Sequence, residues 1–208
     1  MWLWILIAAV GSYLLGNLNG AVLVSRFFSH DDVRSHGSGN AGLTNFIRSY
    51  GVSRALLVVG IDAGKAVLAC VLSGLLLRQE GFWLEGTTLG GVCVMLGHVF
   101  PALLGFRGGK GILSGWVIAF VVDWRIGLLI GIVFFAIYFA TRYVSLSSVL
   151  AAVAFVAGFI ILHWENLPVC VGGVFMGLLA IFMHRDNIKR LCRGEERKTN
   201  LFGKGSKK

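Results

Sequence analysis

The sequence is poor in charge and in proline. Asp, Glu, Lys and Arg make up 14% of its 208 residues, there are two prolines, and 56% of the residues are hydrophobic. The mean hydropathy is +0.79. A soluble globular domain carries about 25% charged residues, so this composition excludes an ordinary soluble domain. It predicts an integral membrane protein.

Cysteine and acidic residues are also scarce. Cys70, Cys93 and Cys170 lie in apolar stretches, and Cys192 lies in a basic tail. This spacing predicts no disulfide framework, no metal site and no cofactor. Lys and Arg outnumber Asp and Glu by 19 to 10. Because the cations are not interleaved with exposed aromatic residues, we expect a lipid bilayer as partner and no nucleic acid.

Long apolar runs take up most of the chain, and a transmembrane helix needs about 20 such residues. They predict an all-α integral membrane protein, a single membrane-embedded domain over 1–208 with about seven transmembrane helices. The predicted spans are about 1–24, 54–77, 87–105, 111–122, 126–141, 147–162 and 167–183. The run 111–122 has only 12 residues, so its helix must extend into the flanking residues to span the membrane, or it is re-entrant. A five-span protein therefore stays an alternative.

The distribution of cations predicts the orientation. Sixteen Lys and Arg fall on one side of the predicted spans, nine of them in the tail 184–208, whereas Arg78 and Arg125 fall on the other side. Cytoplasmic loops carry the excess of Lys and Arg. The N-terminus is therefore expected outside, with the tail and the polar loops in the cytoplasm.

A segment rich in glycine and polar side chains follows the first span. It reads GSGNAGLTN and contains Ser38, Asn40, Thr44 and Asn45 and the glycines Gly37, Gly39 and Gly42. Small side chains let backbone N–H groups surround phosphate oxygens, so the segment predicts an anion site. A flexible connector is the alternative.

A short interfacial helix is predicted directly after this segment. Leu43, Phe46, Ile47 and Tyr50 recur at helical spacing, and Gly51 stands where a helix often ends. Arg48 lies on the face opposite the apolar residues and is expected to reach a bound phosphate.

Two further polar segments lie on the same predicted side. FRGGKG places Gly108, Gly109 and Lys110 at the mouth of two spans, without the spacing of a Walker A loop. In HRDN, His184 and Asn187 share one helix face just past a span. The alternative for FRGGKG is a positively charged turn between two spans, and the alternative for HRDN is a solvated tail.

Three other polar features are open to a purely structural interpretation. The SLSS segment offers Ser147 and Ser148 either to cap a helix or to bind substrate. Asp62 and Lys65 are one helical turn apart in an apolar segment, and we favour a self-neutralising structural pair. His98 has no partner in the sequence that would make it a ligand.

Two other classes of protein are alternatives. A small transporter or flippase for a phosphorylated solute would use intramembrane Asp62 and Lys65 with Asn17 and Asn19. Such proteins bind near the midplane, whereas the polar segments here collect at one face. A CDP-alcohol phosphotransferase needs several aspartates for metal, and Asp62 is the only acidic residue in the predicted spans.

Taken together, the segments resemble a known family. GSGNAGLTNFIRSYG, DAGKA, GHVFPALLGFRGGKG, YVSLSSV and HRDNIKRLCRGEE occur in the order found in the bacterial membrane-bound acyl-phosphate:glycerol-3-phosphate acyltransferases of the seven-span type, across positions 37–196. Leu43, Ala66, Leu113 and Ser114 depart from the residues common in that family.

The resemblance implies an activity. An acyl group would pass from fatty acyl phosphate to the 1-hydroxyl of glycerol 3-phosphate, giving lysophosphatidic acid and phosphate, the first acylation of phospholipid synthesis. It implies a bacterial inner-membrane protein with its active site on the cytoplasmic face, and a possible functional link to the enzyme that makes acyl phosphate. The sequence has neither the His-x4-Asp pair of the other glycerol-phosphate acyltransferases nor a G-x-S-x-G elbow. A covalent acyl-enzyme is therefore not expected.

The resemblance also assigns the residues. The predicted catalytic residues are Ser38, Asn40, Arg48, Lys110 and His184. The predicted substrate-binding residues are Gly37, Gly39, Gly42, Thr44, Asn45, Gly108, Gly109, Ser147, Ser148 and Asn187. Either the leaving phosphate or His184 would accept the proton of the attacking hydroxyl.

Overall fold

A computed structural model describes residues 1–199, which fold into ten α-helices with no strand among them. The helices are α1 (Trp2–Gly16), α2 (Gly20–Ser29), α3 (Leu43–Tyr50), α4 (Ala55–Arg78), α5 (Trp83–Val99), α6 (Ile112–Val122), α7 (Trp124–Thr141), α8 (Val144–His163), α9 (Leu167–Met183) and α10 (Arg185–Cys192). The predicted all-helical class is confirmed, and so is the short helix that ends at Gly51. The predicted tail 184–208 begins with α10, and its residues 200–208 lie outside the described residues.

The first predicted span, 1–24, consists of two helices with a bend between them. α1 and α2 meet at an angle of 40° across a break at residues 17–19. The Asn19 side chain accepts a hydrogen bond from the N–H of Val22 and so starts a new helix. Apolar residues on both sides of the break hide it in a hydropathy profile.

Glycines allow α1 to cross close to α5. A Cβ atom added to Gly97 would lie 2.1 Å from the carbonyl oxygen of Tyr13 and 2.9 Å from the Cα of Gly16. Small residues at such crossings let backbones approach in the membrane, where van der Waals packing stabilises helix pairs.

Helix length supports four to six membrane spans. α4, α7, α8 and the segment Trp83–Leu104 are each long and apolar enough to cross a membrane. The bent pairs α1–α2 and α9–α10 raise the number to six if each is one span. α6 has 11 residues, and a helix of that length is about 16 Å long, roughly half the thickness of the hydrocarbon core.

Polar segments from distant parts of the sequence lie at one end of the helix bundle. Arg34 donates to the carbonyl oxygen of Leu104 at 2.9 Å, and the N–H of Thr199 donates to the carbonyl of Arg142 at 3.1 Å. The opposite end is held separately, where the terminal amino group lies 3.4 Å from Glu80. The polar segments predicted to form the site therefore meet at the first of these two ends.

Candidate active site

A cavity of about 360 Å³ opens at this end between α3, α6, α7, α8, α9 and α10. The predicted site residues that line it are Ser38, Asn40, Gly42, Thr44, Asn45, Arg48, Lys110, Ser148, His184 and Asn187. The other predicted residues, Gly37, Gly39, Gly108, Gly109 and Ser147, do not line it. The structure thus brings together side chains that are more than a hundred residues apart in sequence.

Asn45 shapes the first glycine-rich segment. Its Nδ2 donates to the carbonyls of Val33, His36 and Asn40, and its Oδ1 accepts from the N–H of Ser38 at 3.0 Å. The amide is buried and its groups are already engaged. It therefore orders the loop around Ser38 and Asn40, although the sequence alone suggested direct contact with substrate.

Gly108 and Gly109 serve close packing. A Cβ atom on Gly108 would lie 2.0 Å from the His98 carbonyl oxygen, and one on Gly109 would lie 2.1 Å from His98 Nε2. Their N–H groups donate to the carbonyls of Val99 and His98. These amides are therefore occupied, and Lys110 is the residue of this loop whose side chain reaches the cavity.

A chain of hydrogen bonds connects Lys110 to the C-terminal helix. Lys110 Nζ donates to Asn187 Oδ1. The Asn187 amide donates to Glu196 Oε1 at 2.9 Å, and Arg190 donates to Glu196 Oε2 at 2.7 Å. Burial, followed by the charge of Arg190, lowers the pKa of Lys110 to about 8. Burial alone would raise the pKa of Glu196, but these hydrogen bonds outweigh it and hold the pKa below its usual value.

His184 has one ring nitrogen fixed and the other available. Its Nδ1 lies 2.8 Å from the carbonyl oxygen of Ala180, so Nδ1 carries the proton and Nε2 the lone pair. Burial, followed by the positive charge of Lys110, lowers the pKa of His184 to about 4. The ring is therefore neutral at physiological pH and can accept a hydrogen bond at Nε2.

Arg48 extends from α3 to the last described residue. Its Nε donates to Thr199 Oγ1 at 3.1 Å, and its Nη2 donates to the same oxygen. Thr199 is buried, and its carbonyl accepts from the Tyr138 hydroxyl at 3.1 Å. The chain after α10 thus returns across the ends of α7 and α8 to reach the cavity mouth.

The serines at the start of α8 lie on two different faces of the helix. Ser148 lines the cavity, and so does Ser145, which sequence reasoning left out of the site. Ser147 turns away, and its hydroxyl donates to the carbonyl of Tyr143 in its own helix. Positions three apart share a helix face, so the spacing of Ser145 and Ser148 was the signal available in the sequence.

The deeper part of the cavity is apolar. It is lined mainly by Trp116, Ile130, Phe134, Phe135, Ala151, Ala152, Phe155 and Met176. Rings of Trp116 and Phe135 lie 5.8 Å apart, in an edge-to-face arrangement. One continuous space therefore joins cations and amides at the mouth to an aromatic and aliphatic interior.

Asp62 and His98 reach the cavity wall beneath the mouth. Asp62 and Lys65 form an ion pair of 2.8 Å, the structural pairing favoured from the sequence. His98, for which the sequence offered no partner, lies with its Nδ1 2.9 Å from Lys65 Nζ. Arg190, Glu196 and Thr199 were also missed, because no spacing rule connects them to the glycine-rich segments.

Known proteins are similar to this chain in sequence. Residues 6–194 match the family model described as glycerol-3-phosphate acyltransferase. The glycerol-3-phosphate acyltransferase of Thermoanaerobacter sp. (strain X514) is 34% identical over 196 residues, which cover 94% of this chain and 96% of the relative. Glycerol-3-phosphate acyltransferase 1 of Deinococcus radiodurans is 37% identical over 203 residues, which cover 95% of this chain and 97% of the relative.

A solved structure is similar along nearly the whole chain. The crystal structure of PlsY (YgiH), an integral membrane glycerol 3-phosphate acyltransferase, in its glycerol 3-phosphate form has a TM-score of 0.83 and 29% identity. The match covers 96% of this chain and 99% of that chain. The lysophosphatidic acid form of the same protein has a TM-score of 0.80. The chain therefore belongs to the glycerol-3-phosphate acyltransferase family of integral membrane enzymes.

Proposed function

We propose that the protein transfers an acyl group from fatty acyl phosphate to the 1-hydroxyl of glycerol 3-phosphate, releasing lysophosphatidic acid and phosphate. The observation that carries the proposal is the single cavity with a cationic mouth and an apolar interior. A reaction between a small polar anion and an amphiphilic anion needs a cationic region directly next to an apolar one. PlsY has been solved in a glycerol 3-phosphate form and in a lysophosphatidic acid form, which supports an acceptor and a product of this chemistry.

Glycerol 3-phosphate is assigned to the C-terminal part of the mouth. Arg48 and Lys110 supply positive charge, and His184 and Asn187 supply polar groups that fix the glycerol. Lys110 and Arg48 already contact oxygen atoms, those of Asn187 and Thr199. Phosphate oxygens would take these positions and form charge-assisted hydrogen bonds, which are stronger than bonds to neutral oxygens.

The acyl phosphate head is assigned to the loop around Ser38 and Asn40. Among the described residues, neither side chain makes a hydrogen bond, and both line the cavity. Gly42 lies at the start of α3, whose first N–H groups point toward this loop. Ser145 and Ser148 complete the polar lining, and the acyl chain would lie along Trp116 and Phe135.

The chemical step needs no protein nucleophile. The 1-hydroxyl attacks the carbonyl carbon of the mixed anhydride, the bond from that carbon to the phosphate oxygen breaks, and the leaving phosphate takes the hydroxyl proton. Acyl phosphate already carries a good leaving group, so the enzyme's contribution is positioning and charge neutralisation. A neutral His184 with a pKa of about 4 is a weak base, and its Nε2 is assigned to orienting the glycerol.

The same proposal includes the membrane arrangement. We place the N-terminus outside and the cavity mouth at the cytoplasmic face of a bacterial inner membrane, with α6 as the short fourth of seven crossings in a single catalytic domain. The excess of Lys and Arg at the mouth supports this orientation. Acyl phosphate made by another enzyme would then enter from the cytoplasmic leaflet.

The donor is tested by mixing the purified protein in lipid with palmitoyl phosphate and glycerol 3-phosphate and measuring phosphate and lysophosphatidic acid. We expect one phosphate per lysophosphatidic acid, no release without glycerol 3-phosphate, and no product from palmitoyl-CoA. Product from palmitoyl-CoA would contradict the proposed donor. Uptake of glycerol 3-phosphate into vesicles without product would favour the transporter alternative, which family membership does not support.

The orientation is tested by single cysteines introduced at Ser38 and at Glu80, in a background without the exposed Cys192. A membrane-impermeant maleimide added to intact cells should label the residue at position 80 and leave the residue at position 38 unlabelled. Labelling of position 38 from outside would overturn the cytoplasmic active site.

A further inference from the structure

Three ionisable side chains are packed together beneath the cavity mouth. Asp62, Lys65 and His98 come from α4 and α5 and are exposed by 2%, 4% and 5%. The proposed reaction assigns none of them a chemical role. Burying charge in this way is costly and seldom improves stability over an apolar packing, so the cluster calls for a function.

Lys65 connects the cluster to the break in the first span. Its Nζ donates to the carbonyl oxygens of Leu18 at 2.7 Å and Gly16 at 3.2 Å, which the end of α1 leaves without helical partners. Asp62 Oδ1 accepts from the N–H of Gly20 at 3.1 Å, the first residue of α2. The pair therefore holds both helix ends that face each other across the break.

The break in turn holds the first glycine-rich loop. The Asn19 side chain, within the break, donates to the carbonyl of Ala41 at 2.9 Å. Ala41 is completely buried and immediately follows Asn40. A displacement of residues 17–19 would therefore move the loop that carries Ser38 and Asn40.

His98 connects the same cluster to the second loop. Its Nδ1 accepts from Lys65 Nζ at 2.9 Å, which fixes the ring. Its carbonyl accepts from the N–H of Gly109 at 3.0 Å, and its ring packs against the Cα of Gly109. Lys110 follows directly, so the ring position determines where the Lys110 side chain begins.

We propose that Asp62, Lys65 and His98 are positioning residues, which fix the distance between the loop of Ser38 and the loop of Lys110. The proposal rests on the proposed function, in which these loops hold the two substrates. Positional errors of about 1 Å far from the chemistry reduce rates by roughly 100-fold. A buried ionic cluster joined to both loops limits such errors.

The test compares single and double replacements. Asp62→Asn and Lys65→Met each leave one buried charge alone, so both should lower Tm and activity. The double variant Asp62→Asn with Lys65→Met has no unpaired charge, and its Tm should recover. Its activity should stay at least about tenfold below the wild type, because the Leu18 and Gly16 carbonyls still lack their donor. Recovery of Tm and activity together would overturn the positioning role.

Two His98 variants sharpen the test. Asn at position 98 offers an oxygen near the place of Nδ1, whereas Phe offers no acceptor. His98→Asn should therefore retain more activity than His98→Phe at matched Tm. Equal activity of the two variants at matched Tm would contradict the assignment of Nδ1 as the fixed point.

The opposite end of the bundle provides a matched control. Asp123 accepts from Arg125 at 2.6 Å and lies 3.1 Å from His163 Nε2, away from the cavity. His163→Gln should lower Tm without changing kcat or KM. A loss of activity like that of the Lys65 variants would show that any damaged ion cluster disables the enzyme, and would overturn the specific role.

A binding measurement separates this proposal from the proposed acyl donor. Glycerol 3-phosphate should raise the Tm of the wild type, since a ligand that binds only the folded state stabilises it. The double variant should lose most of this shift. If the wild type fails with palmitoyl phosphate but shows the shift, and the double variant lacks it, the donor is wrong and the positioning role stands. A full shift in the double variant would overturn the positioning role.

Discussion

The two sides of the cavity mouth are held in different ways. The glycine side, residues 37–42 and 106–111, is held through its own backbone groups: Gly108 and Gly109 donate to carbonyls at the end of α5, and the side chains of Asn45 and Asn19 bond to the backbone of residues 38–41. The C-terminal side, residues 184–199, is fixed by side chains, as where Glu196 accepts from Asn187 and Arg190. One side is bonded through its own backbone and the other through its own side chains.

This difference indicates which side adapts to substrate. Backbone contacts without free space cannot be exchanged, so the glycine side is set when the protein folds. Side-chain contacts of Arg48 and Lys110 with Thr199 and Asn187 can be exchanged for contacts with phosphate. We therefore expect substitutions on the glycine side to have the larger effects.

The largest expected effect is that of Gly109→Ala. The new Cβ would lie 2.1 Å from His98 Nε2 and 2.9 Å from the Ala41 carbonyl oxygen, so one of the loops must shift. We expect kcat/KM for glycerol 3-phosphate to fall about 100-fold, as for other small displacements of catalytic groups. Gly105→Ala is the control, because its Cβ would meet no atom within 4 Å. Gly105→Ala carries only the cost of a positive φ at an alanine, about 1 kcal/mol. Equal losses of kcat/KM in the two variants would contradict the larger effect expected at Gly109.

His184→Ala is expected to have the next largest effect, on the C-terminal side. If the leaving phosphate accepts the proton, kcat should fall by only about tenfold, less than the roughly 100-fold or greater loss typical of a missing general base. Arg185→Ala changes an exposed neighbour and serves as control. Complete loss of turnover in a His184→Ala protein whose Tm still rises with glycerol 3-phosphate would identify His184 as the base.

The lowered pKa of Lys110 predicts that the affinity for glycerol 3-phosphate falls at alkaline pH. Its pKa is lowered to about 8. In the proposed site the protonated form binds phosphate, so binding should be complete below this pKa and lost as the pH rises through it. KM for glycerol 3-phosphate should increase about tenfold per pH unit above that value. Lys110→Arg keeps its charge and should remove this increase. The measurement is KM across the pH range at constant ionic strength, and identical profiles would contradict the prediction.

Thr199→Val is expected to have the smallest effect. It removes the acceptor for two hydrogen bonds from Arg48 with little change of shape. KM for glycerol 3-phosphate should fall about threefold with kcat unchanged, since phosphate no longer has to replace this contact of Arg48. Thr199→Ser retains the hydroxyl and should behave as the wild type. A higher KM in the Val variant would contradict this exchange and mean that Thr199 positions Arg48 for substrate.

Much of the fold was predictable because the membrane demands long apolar helices. The predicted span 54–77 corresponds to Ala55–Arg78, and 167–183 is reproduced as Leu167–Met183. The break before α2 was not predictable from hydropathy, because it depends on how Asn19 bonds to the backbone. The number and orientation of the spans stay predictions.

The site residues that stand in one local segment were predictable, whereas those that only folding brings to the site were not. Ser38, Asn40 and Lys110 stand in recognisable glycine-rich segments, and all three line the cavity. Glu196 and Thr199 reach the mouth only because the chain turns back after α10, which no local pattern indicates. Gly109 has a role in packing against His98 that could not be distinguished from phosphate contact before the structure was known.

The continuity of the cavity from polar mouth to apolar interior has a kinetic consequence. Palmitoyl phosphate and lysophosphatidic acid are both single-tailed amphiphiles with an anionic head. The shape of the cavity therefore suits either molecule. If acyl phosphate is the donor, as proposed, each catalytic cycle exchanges one such lipid for another, and accumulated product would inhibit competitively against the donor. Turnover in a crowded leaflet would then depend on how quickly the next enzyme of lipid assembly removes the product.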